Sequence, residues 1–341
     1  MNTEEELQRT IAQMVQPGKG ILAADESLPT IGKRFAAVGV DNTEENRRGY
    51  RALMCGAPGI GEFLSGVILF EETLEQTTDD GTPLPVVLAR QGVVPGVKVD
   101  KGKGPLPGAP GDRITYGLDG LAERLVRYRE QGARFAKWRE VYPVGERNPT
   151  PLGVEANAEM LARYAAVCQQ EGFVPIVEPE VLIDGDHTLE RCAEVSEAVL
   201  HAVFHALHRH RVTLEYLVLK PSMVIPGKEH PQKASPEQVA EATVRVLRRT
   251  VPAAVPGINF LSGGQGPEEA TANLNAMNAA FPGRPWELSF SFARALQEPV
   301  MAAWAGRARN VDAAQRVFLH RLRMNGAARR GEYRPDLEAR P

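Results

Sequence analysis

The sequence predicts an α/β fold, a single (β/α)8 TIM barrel, and three observations point there. Eight short runs rich in Val, Ile, Leu and Phe recur along 341 residues at the spacing of strand–helix units. The runs are continuously apolar rather than alternating, as strands covered on both faces must be. Between them lie segments with helical periodicity and capping signals. A doubly wound open sheet is the alternative built from the same parts.

The expected strands are Gly20–Ala24, Gly66–Phe70, Gly96–Val99, Arg134–Trp138, Val174–Glu178, Leu214–Lys220, Ile258–Leu261 and Leu288–Phe292. Ahead of the first, Thr3-Glu-Glu-Glu6 reads as a capping box, with Leu7, Ile11 and Met14 at helical spacing and Pro17-Gly18 as the stop. After the third strand, Lys101–Asp112 is a Gly/Pro loop and not a linker. Leu189, Cys192, Val195, Val199 and Val203 draw an apolar stripe along a later helix. Ser235-Pro-Glu-Gln238 supplies another N-cap, a first-turn proline and a capping-box glutamine. Residues 1–330 are therefore expected to form one barrel domain, and the polar residues 331–341 a mobile C-terminal tail.

Composition narrows the class. With 43% apolar and 24% charged residues the chain is no disordered polymer. It holds no run of ~18 apolar residues, so no membrane span is expected. The acidic, polar start is the opposite of a secretory signal. Three scattered cysteines, Cys55, Cys168 and Cys192, suit neither a disulfide framework nor a zinc knuckle, so a reducing cytoplasm is the expected compartment. At pI 6.2 the basic excess of a general nucleic-acid binder is missing. An anionic ligand must instead be drawn by cations gathered in a cleft.

Such cations stand where strands end. Lys220 follows Leu214-Glu-Tyr-Leu-Val-Leu219, Lys137 sits in Phe135-Ala-Lys-Trp-Arg139, and Lys98 in Gly96-Val-Lys-Val-Asp100. Lysine is rarely buried, so three in apolar strands need a reason, and barrels gather functional groups at the carboxyl ends of strands. Period-2 geometry puts Lys137 with Arg139, and Glu178 with Glu180, on one face each. Asp25, closing Ile21-Leu-Ala-Ala-Asp25, adds a carboxylate.

A deprotonated lysine can attack a ketone to form an imine, which then serves as an electron sink. At pH 7 an ordinary lysine is neutral about one time in 2,500, whereas a pKa near ~8 makes roughly one in ten neutral. A second ammonium nearby and an apolar wall both push that way. Lys137 near Lys220 would supply the first, and Leu217-Val-Leu219 part of the second.

Phosphate signals follow the last two strands. Ser262-Gly-Gly264 lets backbone N–H groups approach an oxyanion, and Arg294 can fork two oxygens. Loops after strands seven and eight are the habitual phosphate site of a barrel.

The ordered set of motifs resembles the class I fructose-bisphosphate aldolases from about Thr3 to Tyr333. It comprises Gly18-Lys-Gly-Ile-Leu-Ala-Ala-Asp-Glu-Ser27, Val97-Lys-Val-Asp-Lys-Gly102, Phe135-Ala-Lys-Trp-Arg139, Val174-Pro-Ile-Val-Glu-Pro-Glu180, Leu219-Lys-Pro-Ser-Met-Val224, Phe260-Leu-Ser-Gly-Gly-Gln265 and Arg294-Ala-Leu-Gln297. The resemblance implies reversible cleavage of fructose 1,6-bisphosphate to dihydroxyacetone phosphate and glyceraldehyde 3-phosphate through a lysine Schiff base, with no metal or other cofactor. It implies Lys220 as the Schiff-base lysine, Glu178 as the acid expelling water and Lys137 as the charged neighbour. It implies that Asp25 stands near the C4 hydroxyl and that Glu180 orients Lys220. It assigns Ser262, Gly263 and Arg294 to the C1 phosphate, and Ser27, Arg34, Lys98 and Arg139 to the distal one. It further implies a homo-oligomer, commonly a tetramer, with a phosphorylated sugar as substrate. Departures are Ser222 for asparagine, Phe292 for tyrosine, Ala293 for glycine, Thr30 for serine, and no terminal tyrosine. Within this class, a lysine aldolase acting on a monophosphate is the alternative; a non-catalytic barrel scaffold lies outside it and would be expected to lose Lys220, Glu178 or Asp25.

Other motifs have plainer explanations. Leu261-Ser-Gly-Gly-Gln265 spells a transporter ATPase signature, but no Gly-x4-Gly-Lys-Ser/Thr accompanies it. His201, His205 and His208 fall opposite the apolar stripe of their helix and are expected to face solvent, together with a nearby His210. Arg248-Arg249 and Arg329-Arg330 read as solvated helix ends.

Overall fold

The computed structural model describes residues 2–339. Eight parallel strands close into a barrel: β1 (Gly20–Ala24), β2 (Leu64–Leu69), β3 (Val94–Lys98), β6 (Phe135–Tyr142), β7 (Val174–Val181), β8 (Val218–Leu219), β9 (Gly257–Phe260) and β10 (Glu287–Phe292). Between β3 and β6 a ribbon of β4 (Lys103–Pro105) and β5 (Arg113–Thr115) pairs antiparallel. The helices are α1 (Thr3–Met14), α2 (Leu28–Ala36), α3 (Glu44–Cys55), α4 (Glu71–Glu75), α5 (Leu84–Arg90), α6 (Leu121–Glu130), α7 (Pro151–Gln170), α8 (Leu189–Arg209), α9 (Pro236–Thr250), α10 (Pro267–Ala280), α11 (Arg294–Trp304) and α12 (Val311–Arg329). All eight expected strands are present and the sheet is closed, so the open-sheet alternative falls.

The barrel interior explains where chemistry can sit. Leu7, Ile11 and Met14 of α1 pack against Ile21, Ala23, Ile68, Val94, Phe135, Val174, Ile176 and Val218, the inward residues low in the strands. That helix plugs the amino-terminal end, leaving the carboxyl end open. Phe135 fills the interior because Gly96 faces it; a Cβ at Gly96 would lie 2.2 Å from the ring. Alternation then carries the inward face upward from apolar to charged, from Phe135 to Lys137 and Arg139 on β6 and from Ile176 to Glu178 and Glu180 on β7. The intervening residues face the helices, where Trp138 stacks on Tyr164 with ring centres 5.5 Å apart.

Several boundaries differ from expectation for identifiable reasons. The α1 cap is Asn2: its side chain accepts from Glu5 N at 2.8 Å and its own N–H reaches the Glu5 carboxylate at 3.2 Å, so the box lies one residue earlier. Strand β8 is reduced to two residues, with a 3-10 turn at Leu214–Tyr216 before it and Pro221, which lacks a ladder N–H, after it. The Gly/Pro loop contains β4, because the Thr115 hydroxyl donates to Arg139 O at 2.8 Å and ties the ribbon to β6. Arg329 is not a solvated helix end; it is buried, and its guanidinium reaches Glu287 at 2.5 Å. Of the segment expected to be a mobile tail, Arg340 and Pro341 lie outside the described residues. Before them Tyr333 is buried, and Glu338 accepts from Tyr333 Oη at 3.0 Å and from Arg321 at 2.6 Å. His201, His205 and His208 are exposed, as expected, while His210 is half-buried beside Glu159 at 2.7 Å. All three cysteines are buried free thiols.

Candidate active site

Strand ends bring four charged side chains together at the open mouth of the barrel. Lys137 Nζ lies 2.6 Å from Asp25 Oδ2 and 3.1 Å from Glu178 Oε2, and Lys220 Nζ lies 3.3 Å from Glu178 Oε1. Each of these side chains is at most 10% exposed. Two ammonium groups and two carboxylates balance, which is what allows four ionisable groups to share a poorly hydrated site.

The same arrangement divides the four into different roles. Burial opposes the charge on Lys220 and, with the neighbouring Lys137 ammonium, holds its pKa below the ordinary lysine value against the pull of Glu178 and Asp25. Burial also opposes the charge on Lys137, yet Asp25 and Glu178 outweigh it and raise its pKa well above the ordinary value. For Asp25 burial works against ionisation, but Lys137, Lys220 and Lys98 hold the carboxyl well below its usual range. Glu178 is likewise lowered, by Lys137, Lys220 and Arg139 against burial. Within one cluster, burial thus lowers the pKa of one lysine while paired carboxylates raise that of the other.

The backbone fixes these groups. Lys220 N donates to Val177 O at 2.8 Å, and Leu261 N donates to Pro221 O at 3.1 Å, locking Lys220 and its neighbour to β7 and to the end of β9. Asp25 is fastened indirectly. Its neighbour Glu26 points to the helices, where it pairs with Arg34, with Arg51 at 2.5 Å, and with the Gln297 amide at 2.6 Å. This buried ion cluster joins β1 to α2, α3 and α11. In the sequence its only signal is an acid adjacent to Asp25 and therefore on the opposite face.

The two sets of residues expected to bind phosphate occupy different sectors. After β9, Gly263 and Gly264 take positive φ of 54° and 89°, and a Cβ on Gly264 would stand 3.4 Å from Arg294 Nη2. Ser262 is buried beside them, so serine, glycine turn and guanidinium meet in one corner. On the other side, Lys98 Nζ sits 5.0 Å over the Phe70 ring, and Ser27 shares a hydrogen bond of 3.1 Å with Thr30 at the start of α2. Arg139 holds Glu180 through Nε, leaving its outer nitrogens to the mouth. Arg34 is committed to Glu26 through Nη1. Glu180 departs from expectation: the carboxylate partner of Lys220 is Glu178, and Glu180, two residues further up β7, is engaged by Arg139. The departure at Ser222 is accommodated by donation from its hydroxyl to Val181 O at 2.9 Å.

A closed (β/α)8 barrel with a buried lysine of lowered pKa among carboxylates at its mouth is the arrangement of a lysine-dependent lyase. Comparison with known proteins makes the class particular. Residues 6–340 match the family model for Fructose-bisphosphate aldolase class-I. The cytosolic fructose-bisphosphate aldolase 5 of Arabidopsis thaliana is 55% identical over 329 residues, covering 96% of this chain and 92% of its own. The fructose-bisphosphate aldolase of Dictyostelium discoideum is 54% identical over 332 residues, covering 96% and 93%. The cytoplasmic isozyme of Spinacia oleracea is 54% identical over 329 residues, covering 96% and 92%. Among solved structures, the Plasmodium falciparum fructose-bisphosphate aldolase in complex with TRAP and a small-molecule inhibitor superposes with a TM-score of 0.96 at 50% identity, covering 97% of this chain and 96% of that one. The chain belongs to the class I fructose-bisphosphate aldolase family.

Proposed function

We infer that Lys220 carries the Schiff-base cleavage of fructose 1,6-bisphosphate in this enzyme, with Glu178, Lys137 and Asp25 in distinct supporting roles. The observation that carries this assignment is the Glu178 carboxylate bridging Lys220 at 3.3 Å and Lys137 at 3.1 Å in a buried site. Lys220 passes a proton to Glu178 and attacks C2 of the open-chain sugar. Glu178 returns the proton to the carbinolamine oxygen, water leaves, and the iminium forms. Asp25 takes the C4 hydroxyl proton as the C3–C4 bond breaks, releasing glyceraldehyde 3-phosphate. The bonding electrons rest in the enamine on Lys220. Protonation at C3 and hydrolysis of the iminium then release dihydroxyacetone phosphate and restore the lysine. Lys137 keeps both carboxylates ionised between turnovers.

Ser262, Gly263 and Arg294 are assigned to the C1 phosphate, and Ser27, Arg34, Lys98 and Arg139 to the distal phosphate, with Glu180 orienting Arg139. The cytosolic and cytoplasmic designations of the plant relatives support the cytoplasm as its place of work. A homotetramer is the assembly implied by the family resemblance. The experiment is a Lys220→Met variant. It is expected to fold, bind the substrate and lose turnover by at least ~10⁴-fold, since both nucleophile and electron sink are gone. Turnover close to wild type would overturn the assignment.

A further inference from the structure

We propose that Lys103, on the β4–β5 ribbon, is a further binding residue for the phosphate distal to the reacting carbonyl and sets the preference for bisphosphate over monophosphate ketoses. The inference rests on the assignment of Arg139 and Lys98 to that phosphate. Three lysines follow one another in Val97-Lys-Val-Asp-Lys-Gly-Lys103, and the structure sends them to different places. Lys98 ends β3 in register with Lys137 of β6. Lys101 turns away and is bound to Glu71 at 2.6 Å. Lys103 opens β4 directly opposite Thr115, whose hydroxyl grips the backbone of Arg139 at 2.8 Å. The ribbon therefore brings Lys103 within electrostatic reach of the Arg139 guanidinium.

Two neighbouring cations repel, and an anion between them would relieve that repulsion. Glu180 acts on both, but its carboxylate is already taken by Arg139. Partial desolvation, and then the charge of Arg139, hold the Lys103 ammonium below the ordinary lysine range, with Arg113 adding to the repulsion and Glu180 and Asp100 opposing it. A phosphate dianion seated between Lys103 and the outer nitrogens of Arg139 would reverse that repulsion and gain two charge-assisted contacts. Lys103 is an exposed residue whose ammonium is only partly desolvated, and it belongs to neither apolar core cluster, so no packing role accounts for it. The charges that act on Lys103 are Arg139, Glu180, Arg113 and Asp100 and not Arg294, so an effect on the C1 phosphate common to both substrates is not expected.

The test compares steady-state cleavage of fructose 1,6-bisphosphate and fructose 1-phosphate by Lys103→Ala, Lys103→Arg and Arg139→Ala. Lys103→Ala is expected to raise KM for the bisphosphate about tenfold, the effect of losing one charge-assisted contact to phosphate. Its kcat, and its KM for the monophosphate, should not move. Lys103→Arg should restore most of the bisphosphate KM. Equal changes for both substrates, or no change while Arg139→Ala does raise the bisphosphate KM, would overturn the inference. Failure of the underlying assignment looks different: Arg139→Ala would itself leave the bisphosphate KM where it was.

Discussion

Changing Glu178 to glutamine separates two things that one carboxylate is asked to do. Its Oε1 stands 3.3 Å from the Lys220 ammonium, and at an effective dielectric of ~20 that attraction is about 5 kcal/mol before any compensation. Lys137 shares the same carboxylate at 3.1 Å and Asp25 stays in place, so the Lys220 pKa is expected to fall further, by less than that full attraction. Glu178→Gln should therefore leave more of Lys220 neutral than in the wild type. Attack on the carbonyl is then unhindered, but no acid remains to expel water, a loss of ~10²–10⁴ in rate. Rapid mixing with dihydroxyacetone phosphate, quenched with borohydride, reads iminium and not carbinolamine. Labelling at pH 7 is expected to slow by about 100-fold, with the residual rate peaking at lower pH than in the wild type. Labelling as fast as the wild type would refute the reasoning, because more free amine would then suffice without an acid.

Lys137→Met leaves Asp25 and Glu178 buried with one cation between them, and a loss of about 3–5 kcal/mol is expected at pH 7 in urea unfolding. In the wild type both carboxyls are held low, so their stabilisation is present above the unfolded carboxyl pKa and is lost as pH falls through the folded one. In the variant burial raises them instead, so the deficit should shrink between pH 7 and pH 5; an equal deficit at both would point to packing alone. Glu140 is fully buried outside the barrel, and burial pushes its carboxyl up to about 7 despite the 2.8 Å bond from the Trp138 indole. A raised carboxyl costs nothing below its unfolded value and destabilises increasingly as pH climbs to about 7. Glu140→Gln should thus gain up to about 3 kcal/mol at pH 8 and almost nothing at pH 4, measured as thermal midpoints.

The barrel was legible because its strands are buried on both faces and therefore written as unbroken apolar runs. The site was legible for a related reason. Alternation along β6 and β7 places Lys137, Arg139, Glu178 and Glu180 above Phe135 and Ile176 on the inner face, so charges in those runs could only belong to the mouth. Partnership was harder to read than position. Glu178 and Glu180 share a face, and only the reach of the Arg139 side chain decides that Glu180 pairs with it and not with Lys220. The β4–β5 ribbon hid in Gly/Pro-rich text because its order comes from a tertiary tie to Arg139 and not from its own residues. Glu26, Glu140 and Arg329 lie buried against partners distant in sequence or facing the helices, and local pattern carries no signal for such pairs.

Borohydride reduction of the wild-type enzyme with dihydroxyacetone phosphate, followed by peptide mass mapping, tests the central claim most directly. A single adduct on the peptide containing Lys220 is the predicted result. An adduct on Lys137 or any other side chain, or none at all, would contradict it.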